Sequence, residues 1–157
     1  MNQVLKLLVP WDFSDHSKAA LSYACRHFRG EAIKVLCVLE PPNIYAPGFN
    51  WGPEAESKAA EECRNEFREH SNLPADSSVE FQVLFGNPAT EICRFADEAG
   101  ADYIVMSTHG RTGLKQIFIG SVAQNVIANS KTPVLMLPSK WFDNLRSVRC
   151  KTEQVEA

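Results

Sequence analysis

The chain predicts an α/β fold in which a parallel sheet is covered by helices on both faces. Three observations carry this. Strand-like apolar runs alternate with helix-period segments along all but the ends of the 157 residues. The first run, residues 4–9, is continuous but for Lys6, the pattern of a strand covered on both faces. The elements follow in the order β-α-β-α-β-α-β-α-β, which requires right-handed crossovers within one sheet.

Each element has its own signals. After the first strand, Phe13-Ser14-Asp15 offers capping side chains to a helix whose Ala20, Leu21, Ala24, Cys25 and Phe28 share one face, and Gly30 ends it. Residues 33–39 are the second strand. Residues 41–53 hold four prolines, two glycines and three aromatics, Tyr45, Phe49 and Trp51, and read as an exposed loop. Residues 54–71 form a charged helix with Ala55, Ala59, Cys63 and Phe67 at steps of four. Residues 79–85 alternate and give the third strand. Asn87 as N-cap and Pro88 at the first helical position start a helix carrying Ile92, Cys93, Phe95, Ala96 and Ala99, which stops at Gly100. Residues 103–106 are the fourth strand. A glycine-containing loop then leads to a helix over residues 121–129. The last strand runs from Thr132 to Leu137 and Pro138 closes it. Residues 1–138 read as one domain, and residues 139–157 as a tail of mixed charge whose Trp141 and Phe142 pack at its start.

Composition narrows the function. A chain of this length is one domain that buries roughly 68–70% of its unfolded surface. The apolar fraction of 45% and charged fraction of 22% are those of an ordinary globule. No stretch approaches ~20 apolar residues, so no membrane partner is expected. The N-terminus lacks a basic region followed by an apolar core and cleavage site, which points to the cytoplasm. The net charge of −3 comes from interspersed signs without a basic block, which argues against nucleic acid. Cys25, Cys37, Cys63, Cys93 and Cys150 form no CxxC pair and read as reduced thiols, with Cys150 in the tail the reactive one.

The chemistry concentrates after the fourth strand, in Met106-Ser107-Thr108-His109-Gly110-Arg111-Thr112-Gly113 and, six residues on, Gly120-Ser121-Val122-Ala123. A strand, a glycine turn and a helix N-terminus are the parts of a phosphate site, because glycine admits close backbone approach and the first helical N–H groups point at an anion. This is not a Walker loop: Ser121, not lysine, follows Gly120, and the nearest lysine is Lys115. On spacing alone, the glycines answer equally to turn geometry. Pro10-Trp11-Asp12 follows the first strand, so both segments lie at the carboxyl edge, where open α/β sheets bind ligands. Arg111 and Lys115 are either triphosphate partners or solvated loop cations. His109 braces the loop rather than acting as a base; His16, His27 and His70 lack metal-ligand spacing, and no GxSxG elbow exists.

Residues 4–138 resemble the universal stress protein domain. The resemblance rests on Leu8-Val9-Pro10-Trp11-Asp12-Phe13-Ser14, Val35-Leu36-Cys37-Val38, Ser107-Thr108-His109-Gly110-Arg111, and Gly120-Ser121-Val122-Ala123-Gln124-Asn125-Val126 followed by Pro133-Val134-Leu135. It implies a three-layer α/β/α sandwich with a five-stranded parallel sheet in the order 3-2-1-4-5, of the adenine nucleotide alpha hydrolase-like kind. The family's ATP-binding motif, G-x2-G-x9-G-[ST], falls on Gly110 and Gly120-Ser121, while its first glycine is replaced by Ser107.

By position, the resemblance implies that Pro10, Trp11 and Asp12 line the adenosine side, Val38 offers backbone groups to the adenine, and Met106 and Ser107 flank the ribose. Gly110, Gly120, Ser121, Val122 and Ala123 would hold the phosphates. The implied ligand is ATP or AMP, with Mg²⁺ accompanying ATP, bound as a regulatory ligand in a stress response with little or no hydrolysis. No SGGxDS-like loop follows the first strand, as adenylating relatives of the fold would carry. The implied partners are a second copy, paired through the edge strand from Thr132 to Leu137, and an unidentified signalling protein. The alternatives are a nucleotide-free homodimeric interaction module, and a slow ATPase or phosphotransferase using His109, Arg111 or Ser121.

Overall fold

A computed structural model of the chain describes residues 4–28, 30–42, 51–73, 78–108 and 119–138. Its elements are β1 (Lys6–Trp11), α1 (Asp15–His27), β2 (Ala32–Leu39), α2 (Pro53–His70), β3 (Val79–Phe85), α3 (Pro88–Ala99), β4 (Tyr103–Ser107), α4 (Ser121–Asn129) and β5 (Val134–Leu137). The strands form one parallel sheet in the order β3-β2-β1-β4-β5, as the sequence predicts.

Period-2 alternation sends the two faces of each strand into different layers. Leu7, Val9 and Trp11 of β1, Val35 and Cys37 of β2 and Val105 of β4 meet Ala20, Leu21 and Ala24 of α1 and Cys63 and Phe67 of α2. Leu8, Leu36, Ile104 and Met106 point the other way, onto Ala89, Ile92 and Ala96 of α3 and Ala123 and Val126 of α4. Both faces of β1 are therefore covered, which explains why its sequence is nearly all apolar.

Several boundaries differ from the sequence reading by a residue or two, and three of them have a clear local reason. β1 starts at Lys6, whose N–H donates to Asp102 Oδ2 at 2.8 Å and whose carbonyl accepts the Asp102 N–H at 2.8 Å; Val4, before it, is 55% exposed. α2 takes in Pro53 at its first turn, with Gly52 as N-cap. β5 begins two residues late because the Thr132 N–H is turned onto Ser130 Oγ at 3.0 Å and Pro133 has no N–H to give a ladder. Trp51, expected in an exposed loop, is half-buried, with its ring edge-on to Phe85 at 6.0 Å. Tyr45, Phe49 and the tail from residue 139 lie outside the described residues.

Helix termini follow the capping rules. Ser14 caps α1 by accepting the Ser17 N–H, and Asn87 caps α3 by accepting the Thr90 N–H at 3.1 Å. α3 ends on Gly100 at φ +61°, a left-handed position that glycine takes without strain. The four described cysteines are free thiols; burial pushes those of Cys25 and Cys93 up, whereas a side-chain hydrogen bond with Cys37 holds that of Cys63 down. Cys150 falls outside the described residues.

Candidate functional site

The sheet order puts the topological switch between β1 and β4: α1 and α2 cover one face, α3 and α4 the other. The pairing is shortest at this place. The β1–β4 ladder joins only Leu7 to Tyr103 and Leu8 to Ile104, whereas β1–β2 runs through six pairs to Trp11 and Cys37. Beyond Leu8 and Ile104 no ladder pair links the two central strands, and their carboxyl ends open toward the connections that follow them.

Residues that follow β4 are fastened on two sides. The Thr108 N–H donates to the Leu137 carbonyl at 3.2 Å, and the Thr108 carbonyl accepts the Gly120 N–H at 2.8 Å. The start of α4 is thereby held against the end of β4. Gly120 is the N-cap of α4 at φ −59°, and a Cβ there would meet the Thr108 carbonyl oxygen at an ordinary 3.6 Å. Neither backbone conformation nor crowding among the described residues requires glycine.

The N-terminus of α4 also differs from those of the other three helices. α1 has the Ser14 cap and Asp15 in its first turn, α3 has the Asn87 cap and Glu91, and α2 has Pro53 with Glu54 and Glu56. α4 has neither a side-chain cap nor an acidic residue in its first turn. Among the described residues nothing caps its first-turn N–H groups, so its partial positive charge can meet an acceptor from outside the helix. Ser121 is exposed there, Val122 half-buried and Ala123 buried.

The expected site residues divide between the two layers. Met106, Val38, Val122 and Ala123 belong to the α3–α4 layer, around the start of α4. The Trp11 ring lies in the α1–α2 layer, 3% exposed, edge-on to Phe13 at 5.8 Å and to Phe67 at 5.0 Å. Its indole N–H is buried without a hydrogen-bond partner. Trp11 is thus a core side chain, separated by the sheet from the start of α4. Pro10 and Asp12 are half-buried at the end of β1. Ser107 pairs with Leu137 in the ladder and is buried, its hydroxyl making a long 3.4 Å bond to the Leu137 carbonyl. Period-2 alternation from Met106 puts that hydroxyl on the face away from α4, so the serine that replaces the motif's first glycine is accommodated within the sheet. His109, Gly110, Arg111 and Lys115 lie outside the described residues.

Asp12, expected on the adenosine side, is joined by hydrogen bonds to Ser14, and Ser14 to Ser17, where β1 turns into α1; the two serines are not among the expected site residues. The signal for this cluster is the Asp-x-Ser-x-x-Ser spacing, which looks like capping alone. Among the described residues no three His, Cys, Asp or Glu side chains gather to hold a metal ion, and no helix is long and apolar enough to cross a membrane.

Known proteins share this fold. The model of the universal stress protein family matches residues 4–138. Universal stress protein MJ0577 of Methanocaldococcus jannaschii is 32% identical over 154 residues, covering 86% of this chain and 95% of its own. The solved structure of MJ0577 superposes with a TM-score of 0.72 at 31% identity, over 85% of this chain and 95% of that one. A universal stress protein from Archaeoglobus fulgidus in complex with dAMP shares the fold with a TM-score of 0.52 at 24% identity, over 87% of this chain and 98% of its own. A universal stress protein in complex with cAMP does so with a TM-score of 0.58 at 22% identity, over 85% and 96%.

Proposed function

Because the chain belongs to the universal stress protein family, we propose that it binds an adenine nucleotide, AMP or ATP, at the carboxyl edge between β1 and β4, as a regulatory ligand. The observation that carries this is the start of α4, a helix N-terminus without a capping side chain or acidic residue, opening at the switch point of a parallel sheet. The phosphates meet the N–H groups of Ser121, Val122 and Ala123 and the Ser121 hydroxyl, with Gly110 and Gly120 keeping the approach open. Met106 and Ser107 flank the ribose, Val38 borders the adenine, and Pro10 and Asp12 complete the nucleoside side. Trp11 contributes there through its backbone, its ring being committed to the core. Relatives of the fold carry dAMP and cAMP, which supports an adenine nucleotide over other anions.

A triphosphate would bring Mg²⁺ held by its own oxygens and water, as is usual for this ion. Turnover is slow in this reading, because the sequence offers neither a Walker lysine nor an oriented base. The nucleotide then acts by favouring one state of the segment from Gly110 to Ile119 in a cytoplasmic stress response, read by a signalling partner. Calorimetric titration with AMP and with Mg-ATP, alongside phosphate release, tests this. Saturable binding with negligible release is expected. Absence of binding to both would overturn it in favour of a nucleotide-free interaction module, and rapid release would favour an ATPase.

The edge strand β5 is the place for a second copy. Among the described residues it pairs only with β4, and its Val134, Leu135 and Met136 are half-buried. An apolar edge of this kind accepts another strand, and antiparallel pairing of two β5 strands makes a homodimer. Light scattering should give a dimer for the wild type and a monomer for Leu135→Asp; a monomeric wild type would contradict the assembly.

A further inference from the structure

Two thiols face one another in the layer between the sheet and α2. Cys37 of β2 is level with Trp11 of β1 on one side and with Val83 of β3 on the other. Cys63 belongs to the buried stripe of α2, with Ala60 and Phe67. The packing sets them opposite each other. Phe67 stacks on Phe81, which is level with Val35 of β2. A helix that joins two parallel strands by a right-handed crossover runs back against them. One turn back along α2 from Phe67, about 6 Å, reaches Cys63, and two residues on along β2 from Val35, about 6.6 Å, reach Cys37. A side-chain hydrogen bond joins the two thiols. Both are buried, in one cluster with Trp11 and Phe67.

This contact makes the pair chemically unlike the other described cysteines. The hydrogen bond with Cys37 favours the Cys63 thiolate and outweighs the burial that opposes its charge. Cys25 and Cys93 are governed by burial instead, which keeps them as thiols. The Cys93 sulfur turns to the Val126 carbonyl, at 4.0 Å. A thiolate is the form that a peroxide oxidises, and a neighbouring thiol is the group that resolves the product. Cys63 and Cys37 supply one each.

We propose that Cys37 and Cys63 are a modification site, at which a peroxide closes a reversible disulfide between β2 and α2. The Cys63 sulfur attacks one peroxide oxygen and the O–O bond breaks, leaving a sulfenic acid on Cys63 and releasing the first water. The Cys37 sulfur then attacks the Cys63 sulfur. The S–S bond forms, the S–O bond breaks, and the hydroxide leaves as a second water with the Cys37 proton. The two thiols together lose two electrons, and hydrogen peroxide gains them. An external dithiol reverses the step by exchange. Because both sulfurs are covered, oxidation proceeds through local opening of α2 and is slower than at an exposed thiol. The bond ties α2 to the sheet and closes residues 38–62 into a ring. It stands apart from the nucleotide reading.

The test uses the full chain with Cys150→Ser, so that the tail thiol takes no part. The folded protein is treated with hydrogen peroxide, its remaining thiols are alkylated after unfolding, and its peptides are mapped without reduction. The expected product is a cross-linked Cys37–Cys63 peptide from a chain lighter by two hydrogens, returned to free thiols by dithiothreitol. The bridged chain should melt about 4–16 °C above the reduced one, because the cross-link restricts the unfolded state. Peroxide should give neither bridge nor rise in Cys37→Ala or in Cys63→Ala. Three results would overturn the proposal: both thiols still open to alkylation, a disulfide from either of them to Cys25 or Cys93 instead, or a bridge that lowers the melting temperature. The native pair carries the main readout, so an alanine variant that folds poorly leaves the test decisive.

Discussion

Ser121→Asp should make the protein more stable and, at the same time, lower its affinity for AMP about hundredfold. The two effects have one cause. Ser121 opens α4, whose N-terminus carries an unneutralised partial positive charge. A carboxylate there stabilises the helix by about 0.3–1 kcal/mol, as acidic first-turn residues do in α1, α2 and α3. The same carboxylate occupies the place proposed for the phosphate and repels it. Two like charges ~4 Å apart near a protein surface oppose one another by up to about 4 kcal/mol, and solvent attenuates this toward the ~2.7 kcal/mol that a hundredfold loss represents. Ser121→Asn, neutral and of similar size, should lose far less. Thermal unfolding of the ligand-free variants, set beside their AMP titrations, checks both signs. Stability and affinity falling together would mean that the substitution had merely damaged α4, and unchanged affinity would place the phosphate elsewhere.

Phe67→Ala should cost about 3–5 kcal/mol, a fall in melting temperature of roughly 6–20 °C. Phe67 is 6% exposed on the inner face of α2. Its ring stacks on Phe81 of β3 at 4.0 Å and 7°, and Trp11 of β1 meets it edge-on at 5.0 Å. One side chain therefore joins α2 to an edge strand and to the central strand, and its removal leaves a cavity that three elements would have to close together. Trp11 also supports Phe13, so the variant should loosen the turn that holds Asp12 and weaken AMP binding as well. Chemical denaturation of the ligand-free protein reads the first effect. A loss below about 1 kcal/mol would show that α2 contributes little to the core.

Much of this was legible because the chain is consistent from level to level. Apolar runs, caps and glycine stops all pointed to the same nine elements, and these appear in the expected order. Asn87-Pro88 and Gly100 bound α3 as read, since capping chemistry is local. Thr132 and Pro133 were misplaced in the last strand because Thr132 looks like a strand residue until Ser130 takes its N–H. The layer into which Trp11 points could not be read from alternation alone, which separates two faces without saying which helices cover each. The left-handed Phe13 was hidden for a related reason: glycine announces such a conformation, whereas phenylalanine takes it only under tertiary constraint. The direction of the Ser107 hydroxyl was not legible in the motif, because it is set by the β5 strand paired with β4, where it meets the Leu137 carbonyl.

The central claim is that an adenine nucleotide belongs at the start of α4. Native mass spectrometry of the freshly purified protein, with the bound material extracted and identified, tests it most directly. AMP, ADP or ATP at close to one per chain, displaced in Ser121→Asp, is the result this account predicts. A protein that is empty as purified and stays empty when Mg-ATP or AMP is added would contradict it.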